Sequence, residues 1–424
     1  MMTPRERLRA TLNHQQPDRV CLDLGATWVT GIAASAYARL RAALNLPERP
    51  PKVHEPYQLL GFVEEDVRQA LGVDVVGLWG RSTIFGFKND GWKPWTLQDG
   101  TAVQVSKQFE YSEETNGDIL VYPKGDRNAK PSGRLPKGGY FFDAIVRQQP
   151  IDEHNLDPND WADSFGEFDD EDLAHFEREA NHVHQQTDYG LVMNFGQGGL
   201  GDVAFVPGEN LIEPKGLRDP NLWYEYLLLE PDYIRGIYEL QTQAAIRNME
   251  LLHQAVGEKL DVIIISGTDF GGQEGMLISP KTFRSLWKPL FKQMNDWVHE
   301  HTTWKTFFHT DGSIVPILDD FIEIGVDIIN PVQCSAAGME AQAFKDTYGD
   351  RLVVWGGGVD TQNTLPFGSP EEVYDEVSER IRIFNSGGGF VFNNIHNIQA
   401  PTSSENLLAM YRAVKDSYAT AEKF

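Results

Sequence analysis

The stretch Trp304-Lys305-Thr306-Phe307-Phe308-His309-Thr310-Asp311-Gly312 decides the fold. It is too short and too rich in aromatic and β-forming residues for a helix. It reads as a buried strand that runs into polar residues where it ends. A second segment, Gly389-Phe390-Val391-Phe392-Asn393-Asn394-Ile395-His396, has the same form. Apolar runs of this kind recur at 19–24, 73–79, 191–195, 261–266, 326–331 and 351–355, making eight in all. Helical patterns separate them, and strand–helix alternation with eight strands predicts a (β/α)₈ TIM-type barrel. A doubly wound sheet is the alternative, weakened because no GxGxxG follows the first strand.

The helices carry their own signals. Thr3 caps the first, with Pro4 at its first position and Glu6 closing a capping box. The spacing predicts a helix over 222–253 interrupted near Pro231, one from Ser279-Pro280 toward His301, and a short one over 313–325. Ser369-Pro370-Glu371-Glu372 opens another, and Thr402-Ser403-Ser404-Glu405 the last. One segment breaks the alternation. Residues 82–188 contain turn signals at Asn89-Asp90-Gly91, Gln98-Asp99-Gly100 and Asn116-Gly117-Asp118 among aromatics. This reads as a β-rich, partly acidic insertion after the second strand, within one domain spanning 1–424. It is placed either to roof the barrel mouth or to furnish a homodimer surface.

Composition narrows the partners. The formal charge of −25 repels nucleic acid and anionic membranes. Much of it lies in Glu167-Phe168-Asp169-Asp170-Glu171-Asp172, which reads as a solvated stretch before a helix. No apolar run reaches membrane-spanning length, and the charged N-terminal residues lack a secretory h-region. Two cysteines, Cys21 and Cys334, with no CxxC argue against a disulfide framework or zinc ribbon. A cytoplasmic enzyme acting on a small molecule is the expectation.

In a parallel barrel the chemistry sits at the C-terminal strand ends. The fourth strand delivers Asp269 and then Gln273-Glu274, the fifth His309 and Asp311, and the sixth Asn330-Pro331-Val332-Gln333-Cys334. The seventh delivers Gly356-Gly357-Gly358 and the eighth Asn393-Asn394-Ile395-His396. His309 and Asp311 lie two apart, on one side of an extended chain. With His396 they form a two-His, one-carboxylate set suited to Zn²⁺ or another divalent metal with an open position. The competing reading has Asp311 merely orient His309 or cap the following helix. Asp269, Glu274 and His309 are the candidate acid–base residues. Asn194, Gln273, Gln333, Gly357 and Asn394 are the candidate substrate contacts, with the Gly356–Gly358 run allowing close backbone approach. Cys334 is either a nucleophile or, more simply, a small packed residue.

These residues resemble the uroporphyrinogen decarboxylase superfamily, which includes corrinoid-dependent methyltransferases. The marks are Thr3-Pro4-Arg5-Glu6-Arg7, Gly267-Thr268-Asp269-Phe270-Gly271-Gly272-Gln273, His309-Thr310-Asp311-Gly312, Trp355-Gly356-Gly357-Gly358-Val359-Asp360 and Pro401-Thr402-Ser403-Ser404-Glu405-Asn406. The resemblance implies a (β/α)₈ barrel. The true decarboxylases carry an Arg-Gln-Ala-Gly-Arg segment after the first strand, whose arginines pair with substrate carboxylates. Here that region reads Asp23-Leu24-Gly25-Ala26-Thr27-Trp28-Val29-Thr30-Gly31, with no arginine until Arg39. Uroporphyrinogen is therefore not the expected substrate. The methyltransferases bind zinc through a His-x-Cys motif and a later Cys. His309 matches the first ligand, while Asp311 and His396 stand at the two thiolate positions. The resemblance thus implies methyl transfer involving a corrinoid on a partner protein, at a harder metal site than the family's. The alternative is a metal-free decarboxylase or lyase acting on a small carboxylate or tetrapyrrole-like substrate.

Overall fold

Eight parallel strands form one sheet: β1 (Cys21–Leu22), β2 (Val75–Leu78), β3 (Gly190–Met193), β4 (Val262–Ser266), β5 (Lys305–His309), β6 (Ile328–Asn330), β7 (Val353–Trp355) and β8 (Phe390–Phe392). Their order in the sheet is β1-β8-β7-β6-β5-β4-β3-β2, the cyclic order of a (β/α)₈ barrel. Register is direct at β5/β6, where His309 faces Asn330, and at β1/β8, where Cys21 faces Val391. At the seam between β1 and β2, Asp74 N donates to Leu22 O at 2.8 Å. The structure, a computed structural model, describes residues 1–421, with side chains through residue 418.

Side-chain alternation along the strands builds two layers. Val75, Val192, Val262, Ile264, Phe307 and Val391 point inward and are buried together. Leu8 and Leu12 of the first helix, Pro4–Leu12, join that inner cluster and plug the N-terminal end. The alternate residues, among them Ile263, Ile265, Phe308 and Ile329, face the outer helices.

The N-terminal end is tied by a buried ionic knot. Asp74, fully buried, receives Arg7 Nη1 at 2.6 Å and Arg19 Nη1 at 2.8 Å. Its Oδ2 also accepts Leu22 N at 2.9 Å. The capping box predicted at Thr3 and Glu6 is present; it starts the helix that brings Arg7 to this point.

After β2 come antiparallel strands Lys93–Thr96 with Ala102–Val105, and a four-stranded sheet over residues 111–144. Phe85, Phe87, Phe109 and Phe142 give this segment its own apolar core. The acidic run is not part of the hairpins. Asp169 caps a helix at Asp170–Gln186, whose acidic first turn suits the positive end of the helix dipole. Two expected helices are broken. That beginning at Ser279 splits into Pro280–Leu286 and Lys288–His301, with Pro289 at the junction. That over 313–325 starts as a tight turn at Val315–Ile317, around Pro316, before Leu318–Glu323.

Candidate active site

His309 ends β5 and is buried, its side chain 4 % exposed. Asn330, opposite it on β6, donates through Nδ2 to Trp355 O at 2.7 Å, which turns its Oδ1 toward the histidine. Only a protonated Nδ1 can donate to that oxygen, at 2.6 Å. The proton is thereby held on Nδ1, and the Nε2 lone pair is presented to the barrel mouth. Replacing Asn330 with alanine is expected to weaken metal binding about 10- to 100-fold, measured by competition with a chromogenic chelator; unchanged affinity would remove Asn330 from this role.

Asp311 is placed by a crossing of two loops. A Cβ on Gly312 would lie 2.4 Å from the Gly271 carbonyl carbon, and Gly312 has φ +82°. Glycines at both positions allow the β4 and β5 loops to touch. Asp311 N then donates to Asp269 Oδ1 at 2.7 Å, and Gly312 N to Gln333 Oε1 at 2.8 Å. His396 follows β8, its carbonyl held by Asn394 Nδ2. The rings of His309 and His396 lie 5.4 Å apart between centroids. One donor atom each from His309, Asp311 and His396 lies within 4.8 Å of the others. His309 Nε2 stands 3.8 Å from both Asp269 Oδ1 and Asp311 Oδ2.

The electrostatics favour the ligand forms. Burial pushes the His396 pKa down against the pull of Asp311, keeping the imidazole neutral. Burial pushes the Asp269 carboxyl up, opposed by His309 and reinforced by the charge of Asp311. Asp311 Oδ1 is buried without a hydrogen-bond partner. A carboxylate with an unpartnered oxygen beside two imidazoles is what a divalent cation would satisfy, so the residues present fit a metal.

The other candidates divide. Asn394 and Gln333 are buried and spend their side chains positioning the His396 and Asp311 loops. Gly357, with φ +92°, packs against Val332 O. Asn194 donates through Nδ2 to Ala26 O at 2.8 Å and leaves its buried Oδ1 without a partner. Gln273 and Glu274 are exposed and outside the trio. Burial raises the Cys334 thiol to about 11, so it stays protonated.

Asp202 and Glu209, both in the loop after β3, are functional candidates that the strand-end pattern does not pick out. Burial, with the charge of Asp269 added, pushes Asp202 up to about 7. Burial likewise pushes Glu209 up to about 8, and its Oε1 has no partner. The available signal is Gly198-Gly199-Leu200-Gly201-Asp202, a glycine-rich loop closing on an acid after a barrel strand. Glu209 makes stability pH-dependent. Its folded pKa exceeds its unfolded one, so its contribution is complete in acid and is lost as pH rises toward about 8. Glu209→Gln is expected to gain on the wild type by up to about 1.4 kcal/mol per pH unit across this range. Urea midpoints at about pH 5 and about pH 8 check it; a pH-independent difference would contradict it.

Residues 209–417 match the family model for uroporphyrinogen decarboxylase (URO-D). No curated protein matches the chain. Among solved structures, a methyltransferase from Methanosarcina mazei is similar over 99 % of this chain and 100 % of its own, with TM-score 0.53 and 16 % sequence identity. At that identity the likeness speaks for the barrel and not for the reaction.

Proposed function

We propose methyl transfer as the activity of this chain, which belongs to the uroporphyrinogen decarboxylase superfamily. In this reading it moves a methyl group between a corrinoid carried by a separate protein and a small substrate. It does so in the cytoplasm, where its two unpaired cysteines stay reduced. His309, Asp311 and His396 hold a divalent metal, Zn²⁺ by preference, since two imidazoles and a carboxylate leave a coordination position open. A metal held there supplies a Lewis acid for a substrate heteroatom.

The observation that carries the reading is the convergence of one donor atom from each of these three residues within 4.8 Å, with Asp311 Oδ2 standing 3.8 Å from His309 Nε2. The protein's own groups have distinct tasks. His309 presents Nε2 because Asn330 holds Nδ1–H. Asp269 takes the Asp311 amide on Oδ1, leaving Oδ2 to hold a proton. Its raised pKa and its contact with the Asp311 amide favour it over the exposed Glu274 for that task.

Decarboxylation finds less support. A substrate rich in carboxylates needs cationic anchors, and the polar groups around the trio include Asp202 and Asp269. Two arginines buried near Glu209 direct most of their N–H groups to other partners, while Arg147 Nε and Arg218 Nη1 stay without one. Arg147 donates to the carbonyls of Leu211 and Gly208, and Arg218 to Lys215 O while stacked on Trp161. No helix among the described residues is long and apolar enough to cross a membrane.

Metal analysis of the purified protein, with spectroscopic demethylation of methylcobalamin, tests the proposal. A near-stoichiometric divalent metal and metal-dependent demethylation are expected. Absence of metal, together with release of CO₂ from small carboxylates, would instead establish the decarboxylase reading.

A further inference from the structure

Gly267 follows β4, two residues before Asp269. A Cβ built on it would sit 3.4 Å from Asp202 Oδ2 and 3.7 Å from Trp28 Nε1. The glycine thus leaves a notch between an acceptor and a donor. Neither atom is committed elsewhere among the described residues: Asp202 uses Oδ1 to accept Ala204 N at 3.0 Å, and the Trp28 indole N–H has no partner.

The backbone behind both walls is held in place. Leu200 O, just before Asp202, accepts Trp287 Nε1 at 2.7 Å and Thr268 Oγ1 at 3.1 Å. Trp28 O accepts Asn397 Nδ2 at 2.8 Å and Gln58 Nε2 at 3.3 Å. Mobile side chains would give such a pair no meaning, whereas a preorganised pair selects its ligand.

We propose that this notch is a substrate subsite for a hydroxyl group, which donates to Asp202 Oδ2 and accepts from the indole N–H of Trp28. A hydroxyl does both at once. A carboxylate has no proton for Asp202 and, wherever Asp202 is ionised, meets it with like charge. An ammonium cannot accept from Trp28. A bare methyl would leave both polar atoms unpaired, the condition under which sites reject an analogue strongly. The substrate class is therefore an alcohol or phenol. This deepens the methyl-transfer reading and rests on it only for the chemistry after binding.

The test uses the full-length protein labelled with ¹⁵N at tryptophan indoles, the Trp28 signal being assigned by its loss in Trp28→Phe. Methanol, phenol and toluene are titrated in turn. A saturable shift of the Trp28 signal with phenol or methanol, and none with toluene, is expected; which hydroxyl probe binds tells aromatic from aliphatic. Gly267→Ala is expected to weaken that binding at least about tenfold while leaving metal content unchanged. The new methyl meets only ordinary van der Waals contacts, so the variant should fold, and Asp202→Ala should weaken binding similarly. No saturable shift with either hydroxyl probe, an equal shift with toluene, or undiminished binding in Gly267→Ala overturns the proposal. Hydroxyl binding by a protein that takes up no metal sinks the metal-centred reading and leaves the notch standing.

Discussion

His309→Ala is expected to purify without bound metal and to lose about 10²- to 10³-fold in methyl transfer from methylcobalamin. The size reflects what a Lewis acid contributes, several kcal/mol at the reacting heteroatom, with about 1.4 kcal/mol to each tenfold in rate. His309 is the best-anchored member of the trio: its ring is 4 % exposed, and its tautomer is held by Asn330. Its loss removes the Nε2 that stands 3.8 Å from both Asp269 Oδ1 and Asp311 Oδ2. The variant leaves Asn330 Oδ1 unpaired, which costs about 1–3 kcal/mol of stability, so folding must be checked by circular dichroism. Metal content measured by mass spectrometry separates the explanations. A folded variant that keeps its metal, or that works within about threefold of the wild type, removes His309 from the metal centre.

Asp74→Ala is expected to be the most destabilising single change considered, about 3–5 kcal/mol by urea unfolding. The substitution does more than delete one ion pair. Asp74 is fully buried and meets both Arg7 and Arg19, and Arg7 itself is 3 % exposed. Alanine would leave two guanidiniums short of a partner and the Leu22 amide without its acceptor. The damage falls at the β1/β2 seam, where Asp74 N also bonds Leu22 O. A loss under about 1 kcal/mol would mean that Asp18, which also pairs with Arg7 at 2.7 Å, carries the knot instead.

The barrel was legible because its strands are short apolar runs that end in polar residues, a pattern imposed by burial on both faces. All eight strands stand where those runs lie. Helix starts were readable where a local hydrogen bond makes them, as at Thr3, Ser279 and Ser369. Helix interiors were less so. The break at Trp287 comes from a proline whose effect depends on how the two pieces pack against the barrel.

The candidate site was legible only in part. His309 and Asp311 are joined by spacing, and a two-residue step in a strand puts them on one side whatever surrounds them. Asp202 and Glu209 carried no such local mark. Their raised pKa values arise from burial in the folded chain, and burial is not written at the residue that suffers it. Asn330 was visible as a strand end but not as the group that sets the His309 tautomer, since that depends on the carbonyl of Trp355 taking its other end.

Sequence alone thus determined the strand–helix alternation, the polar strand ends and the helix caps, because each arises from interactions between residues a few positions apart. Only the tertiary structure decided that His396 reaches His309 and Asp311 across the barrel, that Asp311 keeps an unpaired buried oxygen, and that Gly267 leaves a notch between Asp202 and Trp28. Those are meetings of distant segments. Their geometry is set by closure of the sheet and the crossing of its loops, which no local stretch of chain encodes.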